Sequence, residues 1–135
     1  MAVFRDPKKL QAHIKKALDA LQAEVLITSQ ASLGSAAVSP IDSGRLRSSW
    51  FAAEGQASND VAPEGTNSPN TDAKGLKVDS RKEYHLTNSL PYIQKVALEG
   101  HVVSKGENWF VDFKNTQIPR IQNEAARQVK SEFDL

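Results

Sequence analysis

The chain has no cysteine, which excludes a disulfide framework, a cysteine nucleophile and thiolate metal ligation, and fits a reducing compartment. It has no apolar run near the roughly 20 residues that a membrane-crossing helix needs. Its opening, Met1-Ala2-Val3-Phe4-Arg5-Asp6-Pro7, lacks the apolar stretch of a signal peptide, so a soluble protein not exported by that route is expected. Charge of one sign is missing too: 17 basic residues stand against 16 acidic ones, a formal net of +1. A primary nucleic-acid binder usually carries a clear basic excess, so bulk electrostatics argue against one. Aromatics make up only 7%, and the core must draw on aliphatic residues. Internal repeats, a Gly–x–Ser–x–Gly elbow and a phosphate-cradling Gly–x–x–x–x–Gly–Lys run are all absent. His13, His85 and His101 are scattered without metal-ligand spacing, and Asp60, Asp72 and Asp79 sit in loop-like sequence with no evident partner base. No catalytic residue, metal or cofactor is therefore expected.

What is present fits one domain over 135 residues. Asp6 is a good N-cap, Pro7 suits a first helical position, and Leu10, Ile14, Ala17, Leu18, Leu21, Val25 and Leu26 recur at helical spacing. These predict a long helix over 6–31, roughly 25 residues and about 38 Å. A small-residue connector follows, then Pro40-Ile41-Asp42-Ser43-Gly44-Arg45-Leu46-Arg47-Ser48-Ser49, in which Gly44 permits a tight turn. Trp50-Phe51-Ala52-Ala53 reads as a strand, and Glu83-Tyr84-His85-Leu86-Thr87-Asn88 as a second, alternating one. Between them, 55–82 is rich in Gly, Pro, Ser, Asn and Asp with few large apolar residues, and reads as a mobile loop or a hairpin that orders on assembly. Its removal is expected to spare the fold. Pro91 to Glu99 suggests a short helix stopped by Gly100, and 108–133 a terminal helix that Pro119 kinks or restarts. The fold class is α+β: a long N-terminal helix and a C-terminal helix packed on a small antiparallel sheet.

The block from Pro40 to Ser49 resembles the proline–aliphatic–Asp–Thr/Ser–Gly–Arg–Leu–Arg signature of tail-completion and neck proteins of tailed bacteriophages. A second block, Leu86-Thr87-Asn88-Ser89-Leu90-Pro91-Tyr92 followed by Leu98-Glu99-Gly100-His101, resembles that family's Asn–x–x–Pro–Tyr and Leu–Glu–x–Gly run. Here Glu99 and Gly100 are adjacent where relatives place a residue between them, and Ser104-Lys105-Gly106-Glu107-Asn108 replaces an Ala–Pro–Gly-like run. The resemblance implies a non-enzymatic virion protein, assembled in the host cytoplasm, that completes the tail and joins it to the head. Its implied partners are copies of itself in a ring, a hexamer or dodecamer, together with head-completion, connector and tail-tube proteins. DNA passes through such a ring without sequence-specific contact, and no membrane is involved. A tail terminator or connector ring at the same junction is the nearest alternative.

Asp42, Arg45, Arg47, Trp50, Tyr92 and Glu99 are the interface candidates on this reading, because Arg presents a rigid fork to carboxylates and Trp anchors interfaces. Arg45 and Arg47 could also face a DNA channel. The competing readings are local: Asp42 capping its own turn with solvated arginines, and Trp50, Phe51, Tyr92, Trp109, Phe110 and Phe113 in the core. Two other classes stay open, a nucleic-acid module using Lys8, Lys9, Lys15 and Lys16, and a small enzyme.

Overall fold

The computed structural model describes residues 5–35, 44–91 and 109–135. Asp42, Tyr92 and Glu99, together with the short helix expected after Pro91, lie outside the described residues.

Helix α1 spans Pro7–Leu33, and its start is as the sequence demands: the Asp6 carboxylate accepts from Lys8 N–H at 2.9 Å and Pro7 opens the first turn. A single helical turn, α2 (Arg45–Ser48), leads into β1 (Trp50–Glu54). β1 pairs antiparallel with β2 (Tyr84–Asn88) in a two-stranded sheet whose register sets Trp50 opposite Asn88 and Glu54 opposite Tyr84. The chain ends in α3 (Trp109–Asp112), a π turn (Phe113–Gln117) and α4 (Ile118–Glu132). This is the expected α+β arrangement, helices on a small antiparallel sheet.

Pro119 neither ends the terminal helix nor starts it afresh. Its nitrogen cannot donate to the carbonyl four residues back, and its ring would crowd that carbonyl. The backbone widens instead, Ile118 N–H donating to Phe113 C=O five residues earlier, and helical geometry continues on both sides.

A two-stranded sheet is marginal alone. Here it is stabilised by a cluster of Leu33, Leu46, Trp50, Leu90, Trp109, Phe113 and Ile121, each worth roughly 2 kcal/mol on burial. Phe110 stacks on Trp50 at a centroid distance of 5.4 Å, and Leu26, Ala52 and Ala73 form a second cluster on the α1 side. α4 runs back along α1, with Ala17 and Ala125 both buried and His13 Nε2 hydrogen-bonding with Phe133 C=O at 2.7 Å.

The excursion between the strands departs most from expectation. Residues 55–82 are neither a free loop nor a hairpin: they wrap the sheet. Ser58 C=O accepts from Thr87 and Ser89 hydroxyls at 3.1 and 2.9 Å, and Ala62 is buried. Pro69 lies so close to Gly34 that a Cβ there would come within 2.9 Å of it. A 3-10 turn, Asp72–Gly75, then sits beside β1 with Ala73 buried. The last stretch returns along α1, where Lys15 pairs with both Asp19 and Asp79 and Ser80 N–H donates to Asp19 at 2.7 Å. Polar anchors replace the apolar content the segment lacks, so removing 56–80 would strip the domain of buried contacts rather than spare it.

The hydrogen bond from Lys15 first, then Ser80 N–H, holds the Asp19 carboxyl below its ordinary value of 3.8. Arg81 side-chain and backbone hydrogen bonds, with Lys15, hold Asp79 far below the same value. Folded chains thus keep both groups ionised where unfolded chains take up protons. The stability they lend is present above the ordinary carboxylate range and lost as pH falls through the folded values. The urea midpoint should fall between about pH 5 and about pH 2, and Asp79→Asn should flatten that slope. An unchanged slope in the variant would remove Asp79 from the account.

Gly44 supports a second expectation. Its φ is +84°, and a Cβ would lie 1.9 Å from Asn67 Oδ1, whereas Gly65 at φ +86° has open space around it. Both Gly→Ala changes carry left-handed strain of about 1–2 kcal/mol, and only Gly44→Ala adds a clash. Urea denaturation should show Gly44→Ala to be the costlier by at least about 1 kcal/mol.

Candidate interaction surface

Three polar groupings hold the surface of this fold in place. The first centres on Gln30, 1% exposed on α1. Its Nε2 donates to Trp50 C=O at 3.0 Å and to the Asp72 carboxylate, and its Oε1 accepts from Ala73 N–H at 3.0 Å. Asp72 Oδ1 also accepts from Ala52 N–H at 3.1 Å. One amide therefore ties helix, strand and excursion together.

The second grouping contains the Arg–Leu–Arg–Ser–Ser run. Arg45 Nε donates to Ala62 C=O at 2.8 Å, with Glu64 4.0 Å from its guanidinium. Arg47 Nη2 donates to Asn67 C=O and Oδ1 at 2.9 and 3.0 Å, while its buried Nε meets no partner. Ser49 Oγ accepts from Ala62 N–H at 3.0 Å and donates to Arg45 C=O at 2.7 Å. Both arginines thus act on their own chain, gripping 62–67. Trp50, a candidate interface anchor from sequence, is 3% exposed and belongs to the core, so it offers no surface in this conformation.

The third grouping joins the two sequence blocks. Asn88 Nδ2 donates to Leu46 C=O at 2.8 Å, its Oδ1 accepts from Leu90 N–H at 3.2 Å, and Asn88 faces Trp50 across the sheet. Segments some forty residues apart are one structural unit.

What remains open is apolar. Leu10, Ile14 and Leu18, read from sequence as a core face, are 40%, 41% and 48% exposed. Phe133, at the end of the terminal helix, meets His13 beside this stripe. The stripe runs into a groove along α1, where a cavity of about 590 Å³ takes in Leu18, Leu21 and Val25 and is rimmed by Lys15, Arg81 and Gln122. A second cavity of about 340 Å³ shares Gln22 and Val25 with it and continues between Leu26, Ser29, Tyr84, Leu86, Phe113 and Ile118. Lys114 stands at its wall with Nζ 5.8 Å from the Phe110 ring centroid. Sequence reading missed this groove, because helical periodicity marks which side of α1 is apolar but not how far a neighbour covers it.

Of the basic residues proposed for nucleic acid, Lys15 is paired with two carboxylates, whereas Lys8, Lys9 and Lys16 are exposed. Among the described residues no three His, Asp or Glu stand together to hold a metal ion, and no helix is long and apolar enough to cross a membrane.

The weight on Gln30 is measurable. Gln30→Leu leaves the buried Ala73 N–H without its acceptor and should cost about 2 kcal/mol in urea denaturation. Limited proteolysis should then open the chain within 63–76. Gln22→Leu, which removes only an exposed hydrogen bond to Lys82 C=O, should cost under about 0.5 kcal/mol. Equal losses would mean that the buried amide has no special role. Compared with protein-family models, curated proteins and solved structures, the chain matches none.

Proposed function

We propose that this chain is a structural, non-enzymatic virion protein of a tailed-phage neck, completing the tail end and joining tail to head within an oligomeric ring. The observation that carries the reading is the uncovered apolar stripe Leu10–Ile14–Leu18, continuous with the groove beside α1. A contiguous apolar surface of this kind marks a site of association rather than a solvated face. The resemblance of the two blocks around Gly44 and Asn88 to phage neck and tail-completion proteins supplies the context, and their junction through Asn88 and Leu46 gives them a shared structural purpose.

On this reading the stripe on α1 meets a neighbouring subunit in a closed ring, whose symmetry buries each copy's exposed leucines. Arg45 and Arg47 act one step back: they fix the 62–67 loop and so shape the surface, rather than touching the partner themselves. On this reading the excursion, packed against the sheet and α1, helps shape the surface that the neighbour meets.

Negative-stain electron microscopy of a phage carrying an early stop codon in this gene tests the reading. Filled heads beside unjoined tails, or tails with ragged upper ends, are expected. Normal joined particles would overturn it.

A further inference from the structure

The two outer edges of the sheet are treated differently. At β1, Trp50 C=O accepts from Gln30 and Ala52 N–H donates to Asp72, so these residues turn their backbone groups away from β2. Gly55 N–H donates across to Glu83 C=O at 2.8 Å, which fixes the alternation. In the observed register Phe51/Thr87 and Ala53/His85 exchange the ladder bonds, and Tyr84, Leu86 and Asn88 point theirs outward. Among the described residues nothing meets those outward N–H and C=O groups. Tyr84, Leu86 and Asn88 are half-buried, and an open strand edge is a template for another strand.

The same β2 residues line the groove. Tyr84 and Leu86 form one wall of the 340 Å³ cavity, so a strand laid beside β2 would direct every second side chain into it. Ser29 also lines it, and its buried hydroxyl has no hydrogen-bond partner. Lys114 brings a positive charge, its Nζ 5.8 Å from the Phe110 ring centroid.

We propose that the outer edge of β2 is a strand-addition site, which takes an extended segment of another protein as the third strand of the sheet. Backbone groups of Tyr84, Leu86 and Asn88 hold it. Its apolar side chains at alternate positions fill the groove, and an acidic side chain pairs with Lys114. A second copy adding through its own β2 fits poorly. Antiparallel pairing of the two edges would set both α1 helices on the same face, and a cavity of 340 Å³ admits side chains, not a helix about 10 Å across. The inference stands apart from the neck reading, since it needs only the edge and the groove.

Amide hydrogen exchange of the full chain, resolved by NMR, tests it. The probes are short peptides alternating threonine with valine, leucine or phenylalanine and bearing one glutamate, matched to the five residues of β2. In the free chain the Tyr84, Leu86 and Asn88 amides should exchange at least about tenfold faster than those of His85 and Thr87. A probe peptide at millimolar concentration should reverse this, and its backbone N-methylated form should not. Lys114→Glu should shift preference to a lysine-bearing peptide, with the fold unchanged by circular dichroism. Amides already slow in the dilute free chain would overturn the proposal, as would equal binding of the N-methylated form or no protection by any probe. Protection that grows with protein concentration alone would assign the edge to a second copy and overturn it too.

Discussion

A single buried amide governs this fold. Gln30 reaches from α1 to the outer edge of β1 and to the 3-10 turn, and the Trp50 C=O and Ala73 N–H it meets belong to buried residues. An unpaired buried donor or acceptor costs about 1–3 kcal/mol, comparable to what a buried aliphatic side chain contributes. Moving α1 by one residue would break all these bonds at once, so Gln30 sets the register of helix against sheet where apolar packing alone would tolerate sliding. The excursion depends on the same point. Ala73 is buried because Gln30 and Asp72 hold the turn that carries it.

Two further contacts extend the logic. Arg45, Arg47 and Ser49 grip 62–67 from beneath, and Asn88 ties α2 to the end of β2. In each case a polar side chain in or beside a regular element binds the backbone of an irregular one. Irregular segments have few intrinsic ways to satisfy their own N–H and C=O groups, and here helix and strand side chains supply them. The Arg–Leu–Arg–Ser–Ser run reads as interface chemistry in isolation, yet its immediate work is internal: without it the loop surface would have no fixed shape to present.

The elements declared by local rules were legible in the sequence. Asp6 and Pro7 mark the start of α1, alternation marks β2, and the φ of Gly44 follows from its place in a turn. The excursion was not legible. Its burial rests on Ala62 and Ala73, too small to register as hydrophobic signal, and on hydrogen bonds whose other halves lie 13 to 61 residues away. The terminal helix was foreseen, but not that a π turn would absorb Pro119 without a break. The groove was hidden for a different reason. Leu18, Leu21 and Val25 look alike in a helical pattern, and coverage by the C-terminal helix decides which of them meets solvent.

Clamp and groove are linked by geometry, because consecutive residues on a helix point about 100° apart. Gln30 faces the outer edge of β1 and closes it, while Ser29, one position earlier, faces the groove beside β2 with its hydroxyl unsatisfied. Helix α1 thus crosses the sheet so that two adjacent polar residues address its two sides. On one side the amide and Asp72 occupy the backbone positions a further strand would need, which bars growth there. On the other, nothing in the described chain occupies them. The two-stranded sheet that the described residues form gains most from a third strand, and the side-chain clamp on β1 leaves β2 as the edge for it, over the apolar wall that α1 and the terminal helix hold in place.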